Sequence, residues 1–165
     1  LNDIRDPGAT WKQLDWFVKS VSLPVVVKGI MTAEDAMLAV EHGVSGIIVS
    51  NHGGRQLDTT YSTIEVLPEI VDAVNDNCEV YIDGGIRRGS DVLKALALGA
   101  RAVLIGRPVF WGLAVNGEEG VRDVVRILVE ELEMTMAMCG KSKLADLNRD
   151  MLGWGFPLAK ILNNS

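Results

Sequence analysis

His52 and Arg55 stand three residues apart in the run Ser50-Asn51-His52-Gly53-Gly54-Arg55-Gln56-Leu57-Asp58. The apolar run Gly46-Ile47-Ile48-Val49 precedes them and reads as a buried parallel strand. An imidazole and a guanidinium therefore follow a strand's carboxyl end, on a glycine-rich turn. In α/β proteins that edge is where ligands bind and chemistry happens. An unperturbed imidazole titrates near neutrality, so His52 can accept a proton at working pH. A guanidinium is a fixed charge on a planar fork, and it holds a carboxylate with two parallel hydrogen bonds better than a lysine would. The pair suits proton removal from a substrate anchored by its carboxylate.

Three further strand ends carry polar or glycine-rich residues. Val25-Val26-Val27 leads into Lys28-Gly29. Val80-Tyr81-Ile82 leads into Asp83-Gly84-Gly85-Ile86-Arg87. The strand 102–105 leads into Gly106-Arg107-Pro108. Glycines let backbone N–H groups approach a phosphate, and Arg87 and Arg107 would add charge-assisted bonds, with a helix N-terminus contributing its dipole.

Between these strand ends the pattern is helical. Residues 11–22 place Trp11, Leu14, Phe17 and Val18 on one face, and Pro24 follows. Residues 32–42 open on Thr32 with Asp35 at capping-box spacing, and Gly43 stops the helix. Residues 64–74 place Ile64, Leu67, Val71 and Val74 together, and residues 91–98 end at Gly99. Residues 108–115 and 121–138 read as two more helices, and the stretch 144–165 as a tail. Within them Met134, Met136 and Met138 are expected to pack against the core or a neighbouring subunit. Glu118-Glu119 and Glu130-Glu131 are expected on solvated faces, Arg88 in solvent, and His42 at a helix end whose dipole it complements.

An internal repeat runs through these elements. Gly29-Ile30, Asp35, Ala39 and Gly43 recur as Gly85-Ile86, Asp91, Ala95 and Gly99, and Ile47-Ile48-Val49 lines up with Val103-Leu104-Ile105. Each copy is strand, glycine turn, helix, glycine stop, strand. Four βα units make either a small open α/β sheet or half of a (β/α)8 barrel, which needs eight strands. The opening Leu1-Asn2-Asp3, without a methionine, favours the half-barrel.

Bulk composition narrows the classes. The chain has 165 residues, 48% hydrophobic and 23% charged, which is ordinary for one globular domain. A net charge of −6 without an aromatic-studded basic stretch argues against nucleic acid as partner. No apolar run reaches the roughly 18 residues of a membrane span, and the polar start is no signal peptide. Cys78 and Cys139 lack any CxxC spacing and read as free thiols of an intracellular protein, and no metal site is expected.

In combination and order, three motifs resemble the flavin-dependent 2-hydroxy-acid oxidase family, which includes glycolate oxidase, lactate oxidase and related dehydrogenases. They are Val26 to Ile30, Ser50 to Asp58, and Asp83 to Arg87 continuing to Gly106-Arg107-Pro108. The linking run Asp91 to Ala100, Phe110-Trp111-Gly112-Leu113-Ala114 and the ending Phe156-Pro157-Leu158-Ala159-Lys160 are similar to the same family. The resemblance covers nearly the whole chain. It implies strands 5 to 8 of a TIM barrel that binds FMN, with residues 1–165 as the carboxyl-terminal half of the barrel.

The roles follow from the resemblance. His52 would be the general base, whether it takes the hydroxyl proton during hydride transfer or the α-proton, and Arg55 the carboxylate clamp. Lys28 and Ser50 would meet the pyrimidine end of the flavin, and the lysine would stabilise the reduced cofactor's negative charge. Asp83 would bond the ribityl chain. Gly84, Gly85, Ile86, Arg87, Gly106 and Arg107 would form the phosphate end. The implied reaction converts an L-2-hydroxy acid to a 2-oxo acid and dioxygen to hydrogen peroxide. A dehydrogenase that passes electrons to haem or quinone, another phosphate-binding barrel, and an inactive half-barrel awaiting its amino-terminal half are the alternatives. The family's substrate-facing tyrosines and the acidic partner of its catalytic histidine belong to the absent strands; Tyr61 and Tyr81 do not match them. Relatives suggest a tetramer and often a peroxisomal location, although Asn163-Asn164-Ser165 is not a peroxisomal ending.

Overall fold

The computed structural model describes residues 8–153. The opening residues 1–7 and the ending Phe156 to Lys160 lie outside them, as does most of the expected tail. The order is α1 (Trp11–Ser20), β1 (Val26–Ile30), α2 (Ala33–Glu41), β2 (Gly46–Val49), a short turn of helix at His52–Gly54, α3 (Thr63–Val74), β3 (Glu79–Asp83), α4 (Gly89–Ala97), β4 (Ala102–Leu104) and α5 (Arg107–Met138). Two further helical turns, Leu144–Asp146 and Arg149–Met151, follow. The four strands pair in parallel and in chain order.

Side-chain alternation gives the sheet two unlike faces. Val27, Ile47 and Val80 are level, as are Val49, Ile82 and Val103. These rows lie under the helices, and Ile47, Val49 and Ile82 are fully buried with Leu67, Ile70 and Val74 of α3. The opposite face carries the row Lys28, Ile48, Tyr81 and Ala102. Leu104 and Val26 are exposed there, so that face has no covering layer among the described residues.

The repeat is visible in the backbone. His42, Gly43 and Val44 donate to Leu38, Val40 and Ala39; Leu98, Gly99 and Ala100 donate to Lys94, Leu96 and Ala95. Gly43 and Gly99 both take positive φ, 78° and 105°, as a left-handed helix stop requires. Register adds a second sign. Val49 is level with Ile82 and so with Val103, whereas its counterpart in the repeat is Ile105. The stagger is two residues between β2 and β4 and three between β1 and β3, where Val27 is level with Val80 and its counterpart in the repeat is Asp83; a stagger of one hand is what closing a (β/α)8 barrel requires. The four units are half of such a barrel.

Several sequence expectations are refined. Phe17 is exposed, and Trp11, Leu14 and Val18 alone carry the packed face of α1. Its exposure follows from the narrow stripe that so short a helix lays on the core. The two expected carboxyl-terminal helices meet at a kink, where Asn116 and Gly117 leave helical geometry. Only Met136 of the three methionines is buried. Glu131 does not sit on a solvated face: it is half-buried, and its Oε2 accepts the N–H of Gly89 at 2.8 Å. Glu118 and Glu119 do pair in solvent with Arg122. His42 Nδ1 lies 2.7 Å from Asp15 and its ring stacks on Trp11.

Arg149 clasps the final helical turn onto the core. Its guanidinium lies 2.8 Å from Asp72 and donates to the carbonyls of Pro68 and Leu98. The hydrogen bond from Arg149 holds the Asp72 carboxyl below its ordinary range. A lowered folded-state pKa adds stability above the unfolded value, and that stability is lost as pH falls through the folded value. Arg149→Ala is expected to lower the thermal midpoint by about 3 °C at neutral pH. The part of that difference owed to Asp72 should fade once the pH drops below the ordinary carboxylate range. Melting curves of both proteins across that range check this.

Candidate functional site

The residues singled out at the strand ends do converge. Lys28 near the end of β1, Ser50 after β2 and Asp83 at the end of β3 lie on the uncovered face at one edge of the sheet. The Lys28 ammonium donates to both Ser50 Oγ and Asp83 Oδ2. Ser50 is buried, while the Lys28 side chain remains 43% exposed and Asp83 20%. The ammonium is thus held from behind and keeps an open side. Ser50 Oγ also accepts the N–H of His52 at 3.1 Å, so one hydroxyl ties Lys28 to the histidine's backbone.

Asp83 has one unanswered atom. Oδ2 meets Lys28, but Oδ1 is buried without a hydrogen-bond partner. A buried carboxylate oxygen left without a donor is costly. It marks a place where a hydroxyl or N–H from a bound molecule would be accepted.

The histidine turn is unusual in its backbone. His52, Gly53 and Gly54 all take positive φ, 55°, 67° and 71°. Two glycines adopt that region freely, but His52 carries a Cβ and pays the steric cost. Asn51 braces the turn: its Oδ1 accepts the Gly54 N–H at 3.2 Å and its Nδ2 donates to the Tyr61 carbonyl. The imidazole and Arg55 are exposed, and Arg55 makes no ion pair among the described residues. Asp58 does not hold it; that carboxylate accepts the N–H of Thr59.

The glycine turns are also formed as expected. Gly84 and Gly85 take positive φ, 89° and 79°, and Ile86 is buried beneath them. A Cβ at Gly85 or Gly106 would meet nothing within 4 Å, so both backbones are open to an incoming group. Arg87 and Arg107 are exposed. Arg107 leans over the histidine turn, with Nη2 3.4 Å from the Gly53 carbonyl.

The amino end of α4 is already partly answered by carboxylates. Asp91 accepts the N–H groups of Arg87 and Arg88, and Glu131 accepts that of Gly89. Two carboxylates already answer that terminus. The beginning of α5, at Gly106 and Arg107, has no such carboxylate among the described residues.

Sequence reasoning passed over Asn51, Thr63 and Glu131. Thr63 is buried and its Oγ1 donates to the Asp83 carbonyl at 2.6 Å. No local pattern could have announced that bond, because its partners are 20 residues apart. Asn51 was findable: an Asn that opens a glycine turn is a typical bracing residue.

The site holds a lysine, a serine, a histidine and an aspartate at one edge, two open glycine turns and three exposed arginines. It can bind an anion, accept a hydroxyl and move a proton. Comparison with known proteins gives the same region a context. The profile of the family described as FMN-dependent dehydrogenase matches residues 1–154. 2-Hydroxyacid oxidase 1 of Mus musculus is 54% identical over 147 residues, which is 89% of this chain and 40% of that protein. L-lactate oxidase of Nostoc sp. matches with the same identity and shares. Peroxisomal (S)-2-hydroxy-acid oxidase GLO4 of Oryza sativa is 56% identical over 144 residues, 87% of this chain and 39% of that one. A crystal structure of mandelate oxidase superposes with a TM-score of 0.82 at 52% identity, over 86% of this chain and 41% of the other. The chain spans about two fifths of the length of the curated relatives it matches.

Proposed function

The chain belongs to the FMN-dependent dehydrogenase family, and we propose that it is the FMN-holding half of an enzyme that oxidises an L-2-hydroxy acid. The reaction removes two electrons and two protons from the substrate to give a 2-oxo acid, and dioxygen takes up both to give hydrogen peroxide. The observation that carries this reading is the cluster of Lys28, Ser50 and Asp83 joined through Ser50 to the backbone of His52. The oxidase names of the mouse, Nostoc and rice relatives support the substrate class and the oxidant.

The residues present fit FMN. The unanswered Oδ1 of Asp83 suits a hydroxyl of the ribityl chain. The open backbones at Gly85 and Gly106 suit a phosphate, with Gly84, Ile86, Arg87 and Arg107 around it. Because Asp91 and Glu131 already answer the start of α4, the phosphate's helix partner is the start of α5. Lys28 and Ser50 would hold the pyrimidine end of the ring. FMN, when bound, supplies the two-electron acceptor that no side chain offers.

The chain's own residues bind and deprotonate the substrate. Arg55, exposed and without an ion pair among the described residues, clamps the carboxylate through its fork. His52 takes a proton from the hydroxy acid at its imidazole. The Lys28 ammonium would lie at the flavin end, where a cation would favour the reduced cofactor. The remaining strands, supplied by the amino-terminal half of the same barrel, cover the exposed face and complete the pocket. The name of the rice relative supports a peroxisomal location, and a homotetramer is the assembly that family resemblance suggests.

The test is a visible spectrum of the purified protein, followed by a short 2-hydroxy acid without oxygen. The expected result is a yellow flavin band that bleaches and returns on admitting air. A band that bleaches but returns only with an artificial electron acceptor assigns a dehydrogenase instead. A colourless protein that takes up no added FMN overturns the reading.

A further inference from the structure

We propose that Thr63 is a positioning residue that couples the His52–Arg55 loop to the cofactor-facing turn after β3. The inference rests on the proposed function of this site and extends it to a residue outside the strand-end motifs. Thr63 is the first residue of α3, and so the point where the loop that leaves β2 through His52 and Arg55 returns to regular structure. The residue is 3% exposed, and its hydroxyl donates to the main-chain carbonyl of Asp83. One bond therefore fixes the exit of the catalytic loop and the carbonyl of the residue whose carboxylate meets Lys28.

Neighbouring contacts make the coupling tight. A Cβ at Gly84 would lie 3.2 Å from Thr63 Oγ1 and 3.7 Å from Asn51 Oδ1. Gly84 is thus flanked by the two residues that brace the loop, one near each end. Asn51 holds the histidine turn through Gly54 and reaches the far side of the loop at Tyr61. Movement of the Asp83–Gly84 turn must displace Thr63 and Asn51, and movement of the loop must displace the turn. A hydroxyl is what the position requires. Valine fills the same volume but donates nothing, and it leaves a partly buried carbonyl without this donor.

The experiment compares Thr63→Val with Thr63→Ser in the full-length protein. Dissociation constants are measured for FMN, titrated into apoprotein, and for oxalate, a carboxylate probe of Arg55, bound to holoprotein. Thr63→Val is expected to weaken both by about tenfold, and Thr63→Ser to restore both. Amide hydrogen exchange is followed in the apoprotein at residues 52–55 and 83–87. Thr63→Val should speed exchange in both segments together, and Thr63→Ser in neither. Thr63→Ala replaces the valine variant if that fails to fold.

Unchanged exchange and affinities in Thr63→Val overturn the inference. So does a serine variant that behaves like the valine variant, since packing of the methyl group then explains the effect. If wild-type protein binds no FMN, the proposed function fails, while the exchange comparison still decides the role of Thr63.

Discussion

His52→Ala lowers turnover of a 2-hydroxy acid by about 10²–10⁴-fold, the range expected when a positioned base is removed, and leaves bound FMN in place. The two parts of this expectation have separate structural grounds. The imidazole is exposed at the site's open side, so its removal takes away the proton acceptor without emptying a core position. The backbone of residue 52 is what joins the cofactor cluster, through its N–H to Ser50 Oγ, and alanine retains that N–H. Rapid-mixing measurements of anaerobic flavin bleaching, alongside the flavin content of the purified variant, check both parts. Activity near that of wild type would mean that another group takes the proton, as in a different FMN-binding barrel that has no need of this histidine.

Gly89→Ala is expected to destabilise the fold by about 3 kcal/mol, the upper range for overpacking. The cause is contact with backbone, which cannot rotate aside. A Cβ at position 89 would lie 2.1 Å from the Leu132 nitrogen and 2.4 Å from the Glu131 carbonyl carbon. The first turn of α4 would have to move off α5, and the Gly89 N–H would leave the Glu131 carboxylate. Chemical denaturation midpoints check the size of the effect. Gly153→Ala is the control, since among the described residues a Cβ there meets nothing within 4 Å, and its midpoint should match wild type. A Gly89→Ala midpoint equal to that control would show that α4 and α5 can separate freely.

The strand ends were legible because they follow short-range rules. Val26, Ile47, Ile82 and Val103 announce strands by type, and a glycine or a polar residue follows each within a few positions. Position 28, with its lysine at the end of an apolar run, reads alone as a solvent-facing strand end, and becomes part of a site only beside the other strand-end motifs in order. Residues whose meaning depends on distant neighbours were not legible. Glu131 looks like any exposed helix carboxylate until α5 folds back onto α4, 42 residues earlier in the chain. Thr63 looks like a helix start until its hydroxyl is seen on β3. Phe17 failed in the opposite direction: helical spacing put it on the apolar face, but the core reaches only Trp11, Leu14 and Val18. Periodicity tells which residues share a face, and not how wide a face the rest of the fold will cover.

The two copies of the repeated unit have diverged into different kinds of tool. Fifty-six residues on from Lys28 and Ser50 stand Gly84 and Gly106. At these two positions the first copy presents a lysine and a serine, and the second presents bare main chain. Charge and hydroxyl chemistry suit an aromatic ring that changes its electron count, whereas unadorned amides suit a phosphate that never changes. On the proposed function, one plan used twice would give a site with a reactive end and an inert handle. Gly84 could not take the lysine of the other copy without strain, since its φ is 89° and a Cβ there would lie 3.2 Å from Thr63 Oγ1.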